Sequence, residues 1–381
     1  MIYITNGQRK AKEGSGKEEA MQMKKSNAKA ILAGSILSIL IFSSIFASSP
    51  FIYIADTGNN RIQVFDKYAN YITQWGRYGR AENEMNSPSG IAVASAVYVA
   101  DTGNNRVLKF SLDGVPLAVW GSYTGGTGPG MFRSPSSVAV SYEDCAEYVY
   151  VADTGNNRIQ KFTSDGGFIA AWGGLSAGTA PGMFNNPQGI SAHRSGKYVL
   201  VADTGNNRIQ KFDASGNFLS AFGSAGSSDG KFRYPRGAAA DSSGRIFVAD
   251  NMNYRVQRLT DFGVFEIKWG AEGEADGMLV DHYGIEVSDE YEVYVADSGN
   301  NRIQVFTSDG VFIRTIGSVN QGNGPAEFYY PMAVALRIEK PENTGCVPAF
   351  TETPTETFTE TPTETYTETP TETFTETPTE T

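Results

Sequence analysis

Six times this chain sets an asparagine three residues after an aspartate and an arginine five residues after it. The copies are Asp56/Asn59/Arg61, Asp101/Asn104/Arg106, Asp153/Asn156/Arg158, Asp203/Asn206/Arg208, Asp250/Asn253/Arg255 and Asp297/Asn300/Arg302. A carboxylate, an amide and a guanidinium at this range support two chemistries. Aspartate with amide oxygens ligates calcium. Aspartate with arginine forms a charge-assisted clasp, its carboxylate also accepting loop N–H groups, with the asparagine suited to a left-handed loop position. Aspartate and arginine flank a four-residue hairpin loop and are placed to pair across its mouth. The spacing lacks alternating carboxylates and puts an arginine beside every aspartate, which favours the clasp. The fifth copy is an internal test: Asn251-Met252-Asn253-Tyr254 replaces Thr-Gly-Asn-Asn, yet Asp250, Asn253 and Arg255 stay. The parts that stay are those a clasp needs. The motif is therefore expected to be structural, with no metal and no cofactor.

Other chemistry is sparse. The chain has two histidines, and the strand pattern puts His193 and His282 on opposite faces, so they are not expected to share a metal. Neither a GxSxG elbow nor a glycine-rich phosphate loop stands in a strand–helix context. No catalytic residue is predicted. Two cysteines, Cys145 and Cys346, make no disulfide framework, and their pairing, though permitted in an oxidising compartment, is not expected.

The elements that carry the motif repeat with it. Successive aspartates lie 45, 52, 50, 47 and 47 residues apart, a period that marks propellers and solenoids. Ahead of each motif runs an alternating β-branched and aromatic strand, such as Tyr148–Ala152. After it comes a second, such as Arg302–Phe306. A glycine turn leads to a third strand ending in aromatic-Gly (Trp75-Gly76, Trp120-Gly121), and a glycine-rich loop leads to a proline and a strand of small apolar residues. Four strands per unit and six units predict an all-β, six-bladed β-propeller of four-stranded antiparallel blades. The chain enters at Phe51 without an inner strand and leaves through one, Phe328–Leu336. The C-terminal inner strand is thus expected to complete the first blade and remove two open edges.

From Phe51 to about Leu336 these residues resemble the NHL-repeat family, in the proline-glycine start of the inner strand, the VYVAD-like strand, the NRIQVF run and the terminal Trp-Gly. The resemblance implies a six-bladed propeller and no single activity. Relatives include RNA binders, protein-interaction platforms, sensor domains, lyases and hydrolases. The lyase relatives use several histidines around the channel, which this chain does not supply.

The longest and most variable loops run from the aromatic-Gly of one unit to the proline of the next. They and the Asp–Arg hairpins share one face, called upper here. Arg233, Tyr234, Arg236, Asp281, His282, Tyr283, Tyr329 and Tyr330 fall on the fifth, sixth and first blades of that face and are the predicted partner-binding residues. His282 stands where the other copies have proline. Asp281 is read as the only carboxylate near that rim.

Residues 1–22 read as a leader without structure. Residues 23–49 read as a secretory signal peptide or a retained N-terminal anchor: Lys24, Lys25 and Lys29 precede an apolar run from Ala30 to Ala47. Residues 51–340 form the propeller, and residues 341–381 a Thr/Pro/Glu-rich, disordered linker repeating Thr-Glu-Thr-Pro-Thr-Glu-Thr-Phe/Tyr. The eight glutamates of that tail account for most of the net charge of −11, which leaves −3 elsewhere. That gives no basic face to neutralise phosphates, so nucleic acid is not an expected partner. The expected protein is a bacterial, monomeric, secreted or cell-surface propeller, extracellular or periplasmic, that binds an extracellular protein, peptide or glycan and meets membrane only through an uncleaved anchor. The alternative is a propeller hydrolase or lyase acting on a small molecule in the channel.

Overall fold

The computed structural model describes residues 51–337. Six four-stranded antiparallel sheets, each ordered from an inner to an outer strand, account for every strand of these residues. Blade 2 is representative: inner strand Pro88–Val93, then Val97–Asp101, Arg106–Phe110 and outer strand Pro116–Gly121. Blade 1 is assembled from both ends of the ring. Its inner strand is Ala333–Leu336, paired with Ile52–Asp56 in the register Ile52↔Leu336, Tyr53↔Ala335, Ile54↔Val334 and Ala55↔Ala333. The closing strand is shorter than the run read from sequence, because Phe328 to Met332 belong to the loop before it.

The core is not central but lies between blades. Six apolar clusters are each shared by two neighbouring blades; the one holding Ile52, Ile54 and Phe65 with Tyr294, Ile303 and Phe328 joins blade 6 to blade 1. A single blade has two apolar faces and can bury them only against neighbours, so the ring folds as a closed set. The terminal tryptophans show how. Trp75 lies 6.0 Å from Phe110 of the next blade and under that blade's Gly114, where φ is +87° and a Cβ would come within 2.5 Å of the indole. The aromatic-Gly ending and the glycine turn of the next repeat are therefore two halves of one joint.

Cys145, in the tight turn between Ser137–Glu143 and Ala146–Asp153, is disulfide-bonded, contrary to expectation, and no free cysteine stands among the described residues. The sequence holds one other cysteine, Cys346, which lies outside the described residues, as do the predicted leader, signal and tail segments.

Candidate functional site

The Asp–Asn–Arg residues are clasps, and broader ones than their spacing suggests. In blade 2, Asp101 accepts from Arg106 Nε at 2.6 Å and from Asn104 Nδ2 at 2.8 Å, while its other oxygen accepts the Asn86 N–H at 2.6 Å. The rest of the Arg106 guanidinium donates to the carbonyls of Arg80, Ala81 and Glu84 at 2.7–2.8 Å. The N–H that the aspartate accepts comes from the inter-blade loop, not from the hairpin's own loop as expected.

Aspartate and arginine do pair across the hairpin mouth in all six copies, at 2.6–2.8 Å. Arg61, Arg106, Arg158, Arg255 and Arg302 are buried, and so are Asn104, Asn156 and Asn300, because the loop entering each blade's inner strand closes over them. Arg208, Asn59, Asn206 and Asn253 are half-buried. Arg61 donates from Nε to Asp56 at 2.7 Å, and its remaining N–H groups reach the carbonyls of Asn323, Gly324 and Glu327. Arg158 does the same with Asp153 and the carbonyls of Thr127, Gly128 and Met131. The asparagines bridge to that loop too. Asn156 donates to Asp153 at 2.9 Å and to the Gly126 carbonyl at 2.7 Å; Asn300 donates to Asp297 and to the Gly273 carbonyl, both at 2.9 Å.

Nor are Asn59, Asn104, Asn156, Asn206, Asn253 and Asn300 the left-handed residues. That conformation belongs to the next position, Asn60, Asn105, Asn157, Asn207, Tyr254 and Asn301, with φ between 50° and 56°. The first asparagine stays in the short helical turn because its amide is held by the aspartate.

Sequence reasoning missed three partners. A glutamine two residues after the arginine donates to the same aspartate, as Gln63 does to Asp56 at 3.1 Å and Gln210 to Asp203 at 2.9 Å. In blade 2 that position is Leu108, and burial raises the Asp101 carboxyl pKa despite its hydrogen-bond donors. The threonine after the aspartate donates to the proline carbonyl of the next blade, Thr57 to Pro88 at 2.7 Å. The left-handed asparagine accepts an N–H from that same blade, Asn60 from Ser87 at 2.8 Å. Each copy thus joins its hairpin to the loops on both sides. The recurrent Gln and Thr were visible in NNRIQ and DTGNN, but only the fold shows what they reach.

The fifth joint is the exception. Asn251 takes over the threonine's role, donating to the His282 carbonyl at 2.8 Å and to Asp281 at 3.1 Å. Tyr254 carries no amide oxygen to hold the Asp281 N–H. His282, predicted as a rim residue, is fully buried instead: its Nε2 lies 3.0 Å from the Arg255 carbonyl, Nδ1 has no partner, and burial lowers its pKa. It fills the site that proline fills elsewhere and offers nothing to a ligand.

The other predicted residues divide into two groups. Arg236, Asp281, Tyr283 and Tyr330 are brought together. The Arg236 guanidinium lies 4.0 Å from the Tyr283 ring centre and donates to Gln188 Oε1 at 2.7 Å. Tyr283 and Tyr330 meet edge-on at 5.8 Å, and Tyr330 donates to Asp281. Burial and that bond push the Tyr330 hydroxyl well above its ordinary pKa, so it stays a donor. Tyr234 and Tyr329 stand out from the face, 45% and 46% exposed, and the exposed Arg233 is held by its backbone N–H on Asp250 at 2.7 Å.

A channel of about 360 Å³ runs along the axis from this cluster to the lower face. Its upper rim is the residue after the proline position of each blade: Met332, Ser89, Ser136, Gln188, Arg236 and Tyr283. Glycine behind that rim lets inner strands approach: a Cβ on Gly189 would fall 2.4 Å from the Arg236 carbonyl. At the lower mouth His193 packs 5.0 Å from Tyr198, and Arg194 pairs with Asp289 at 2.6 Å. Below that rim three carboxylates line the channel, Glu286, Asp241 and Asp289. Glu286 was missed because it sits in an apolar inner strand, where alternation gives no hint of which side chains meet the axis. Burial raises its pKa to about 7, against smaller opposing effects of the Val287 N–H and Arg194. Among the described residues no group of three His, Cys, Asp or Glu side chains is placed to hold a metal.

Blade count, strand order and repeated clasps define the class: a six-bladed β-propeller. More narrowly, residues 184–212 and 232–259 match the NHL repeat and residues 274–343 match a family described as 6-bladed beta-propeller, so this is a propeller carrying NHL repeats. No curated protein matches the chain in sequence. A chain in the crystal structure of a nidogen/laminin complex is similar at TM-score 0.54 and 14% identity, covering 76% of this chain and 98% of that one. A protein of unknown function from Bacteroides caccae is similar at TM-score 0.51 and 11% identity, over 76% of this chain and 99% of that one. Virginiamycin B lyase from Staphylococcus aureus reaches TM-score 0.44 at 20% identity, over 59% and 68%. At these identities the likeness is one of fold.

Proposed function

We propose that the chain is a secreted or surface-held binding module whose upper face, over blades 5, 6 and 1, docks an extracellular protein, peptide or glycan. The observation that carries this reading is the assembled Arg236–Tyr283–Tyr330–Asp281 cluster flanked by exposed Tyr234 and Tyr329. Ordered aromatic and arginine side chains on a rigid scaffold lose little entropy on binding and are the usual anchors of an interface. The motif residues do not compete for the role, since their polar atoms are used inside the clasps. The disulfide at Cys145 is in keeping with an oxidising compartment. The alternative, a hydrolase or lyase, finds no assembled metal or histidine centre among the described residues.

Peptide and glycan arrays probed with the purified protein test the reading. Binding of any hit should fall by about tenfold or more in a Tyr234→Ala/Tyr329→Ala variant, whose exposed side chains carry little fold stability. Binding that survives this pair but is lost on substituting His193 and Lys197 at the lower mouth would put the partner on the wrong face.

A further inference from the structure

The channel holds a cation, Arg236, and an anion, Glu286, that pair with no opposite charge among the described residues. Arg236 is hydrogen-bonded only to the neutral amide of Gln188, its Nε is buried without a partner, and it makes no ion pair among the described residues. The motif arginines are different, since each is matched to an aspartate and to backbone carbonyls, as Arg106 is. Glu286 is the counterpart. Its carboxylate has one contact, the adjacent Val287 N–H at 3.2 Å, and no cationic group within ion-pair range. Both line the same channel. A charge withdrawn from water without a partner is costly, and a guanidinium is shaped to take a carboxylate through two parallel hydrogen bonds.

Their separation is set by the strand. Glu286 stands in the inner strand of blade 6, Ile285–Val287, three positions after the rim residue Tyr283 on which Arg236 stacks, which in extended chain places it about 10 Å further along the axis. Between them the wall is small and apolar, with Ile190, Ala238 and Ile285 prominent. The wall is also made of the free edges of inner strands, whose outward N–H and C=O groups suit an extended main chain. The volume, about 360 Å³, lies in the range of small-ligand sites. An extended tripeptide carries its terminal charges about 10 Å apart.

We propose that the channel is a binding site for a short zwitterionic peptide, its C-terminal carboxylate on Arg236 at the upper rim and its N-terminal ammonium on Glu286 inside. The raised pKa of empty Glu286 fits a carboxylate lacking the cation that would stabilise it. This site shares Arg236 with the upper-face docking surface but does not require a macromolecular partner there.

Isothermal titration calorimetry with trialanine, N-acetyl-trialanine and trialanine amide tests the assignment on the unmodified protein. Trialanine should bind at one site per chain, and blocking either end should weaken binding by about tenfold or more. Glu286→Gln and Arg236→Gln should each reproduce the loss, and in each variant blocking the matching end should cost nothing further. No binding of trialanine, or equal binding of the free peptide and either blocked one, overturns the proposal. The blocked peptides act on the unaltered fold, so a variant that misfolds does not decide the result. The readout involves no macromolecular partner, so either reading can fail alone.

Discussion

At the scale of single residues, the clasp aspartates hold several groups at once. Asp203, itself fully buried, accepts from Arg208, Asn206, Gln210 and the Asn185 N–H, all at 2.7–2.9 Å. Replacing Asp203 by alanine leaves those donors facing a void and should cost about 2–3 kcal/mol, less than the full loss of a buried pair because Arg208 keeps its carbonyls. Arg233→Ala, at an exposed side chain, should stay within about 0.5 kcal/mol. Chemical denaturation of both variants checks the contrast, and equal small effects would remove the structural reading of the motif. Glu286 gives a dependence on pH. Its folded pKa, about 7, stands above the ordinary 4.5, so the folded state holds the proton more tightly than the unfolded one. The favourable contribution is complete below pH 4.5, declines as pH rises and is gone above pH 7. Water in the channel screens the charge, so the full effect should be about 1–2 kcal/mol. Glu286→Gln should therefore melt higher than the parent at pH 8 and close to it at pH 5. A constant offset at both values would assign the effect to packing instead.

At the scale of elements, the joint between blades 5 and 6 is the one built differently. Five hairpins end in a left-handed asparagine whose oxygen holds the next blade; the fifth ends in Tyr254, which pays the left-handed strain without that bond. Tyr254→Asn should add about 0.5–1 kcal/mol and raise the melting temperature by a few degrees, read by calorimetry. The blade plan was legible because each strand type recurs with its own punctuation: alternation before Asp, NRIQ after it, aromatic-Gly at the edge. The joints were not. Sequence shows that Thr57 and Asn60 recur, but their partners Pro88 and Ser87 lie in the next repeat, and only closure of the ring brings them within reach. His282 was misplaced for the same reason: a departure from proline marks an unusual site, and burial decides whether that site faces outward.

At the scale of the molecule, nothing covalent within the ring spans the meeting of its first and last strands. A chain ending at Gly317 lacks Ala333–Leu336 and exposes the inner edge of blade 1. It should melt at least about 10 °C lower and less cooperatively than one ending at Arg337. Equal melting curves would mean blade 1 stands without its inner strand. Arg236, Tyr283 and Tyr330 were visible as variable positions and the fold brings them together, while Glu286 emerged only once six inner strands surrounded an axis.

The seam has a mechanical side. The inner strand of blade 1 runs down from Pro331, and Ile52–Asp56 runs up to its hairpin, so Phe51 and Arg337 lie at the lower face, on adjacent strands. Tension drawn through both of these points loads the pairs Ile52↔Leu336 to Ala55↔Ala333 one after another, as a zipper opens, instead of all together in shear. In optical tweezers, tension applied at Phe51 and Arg337 should open the ring first at this seam, in small steps at low force, before any blade unfolds.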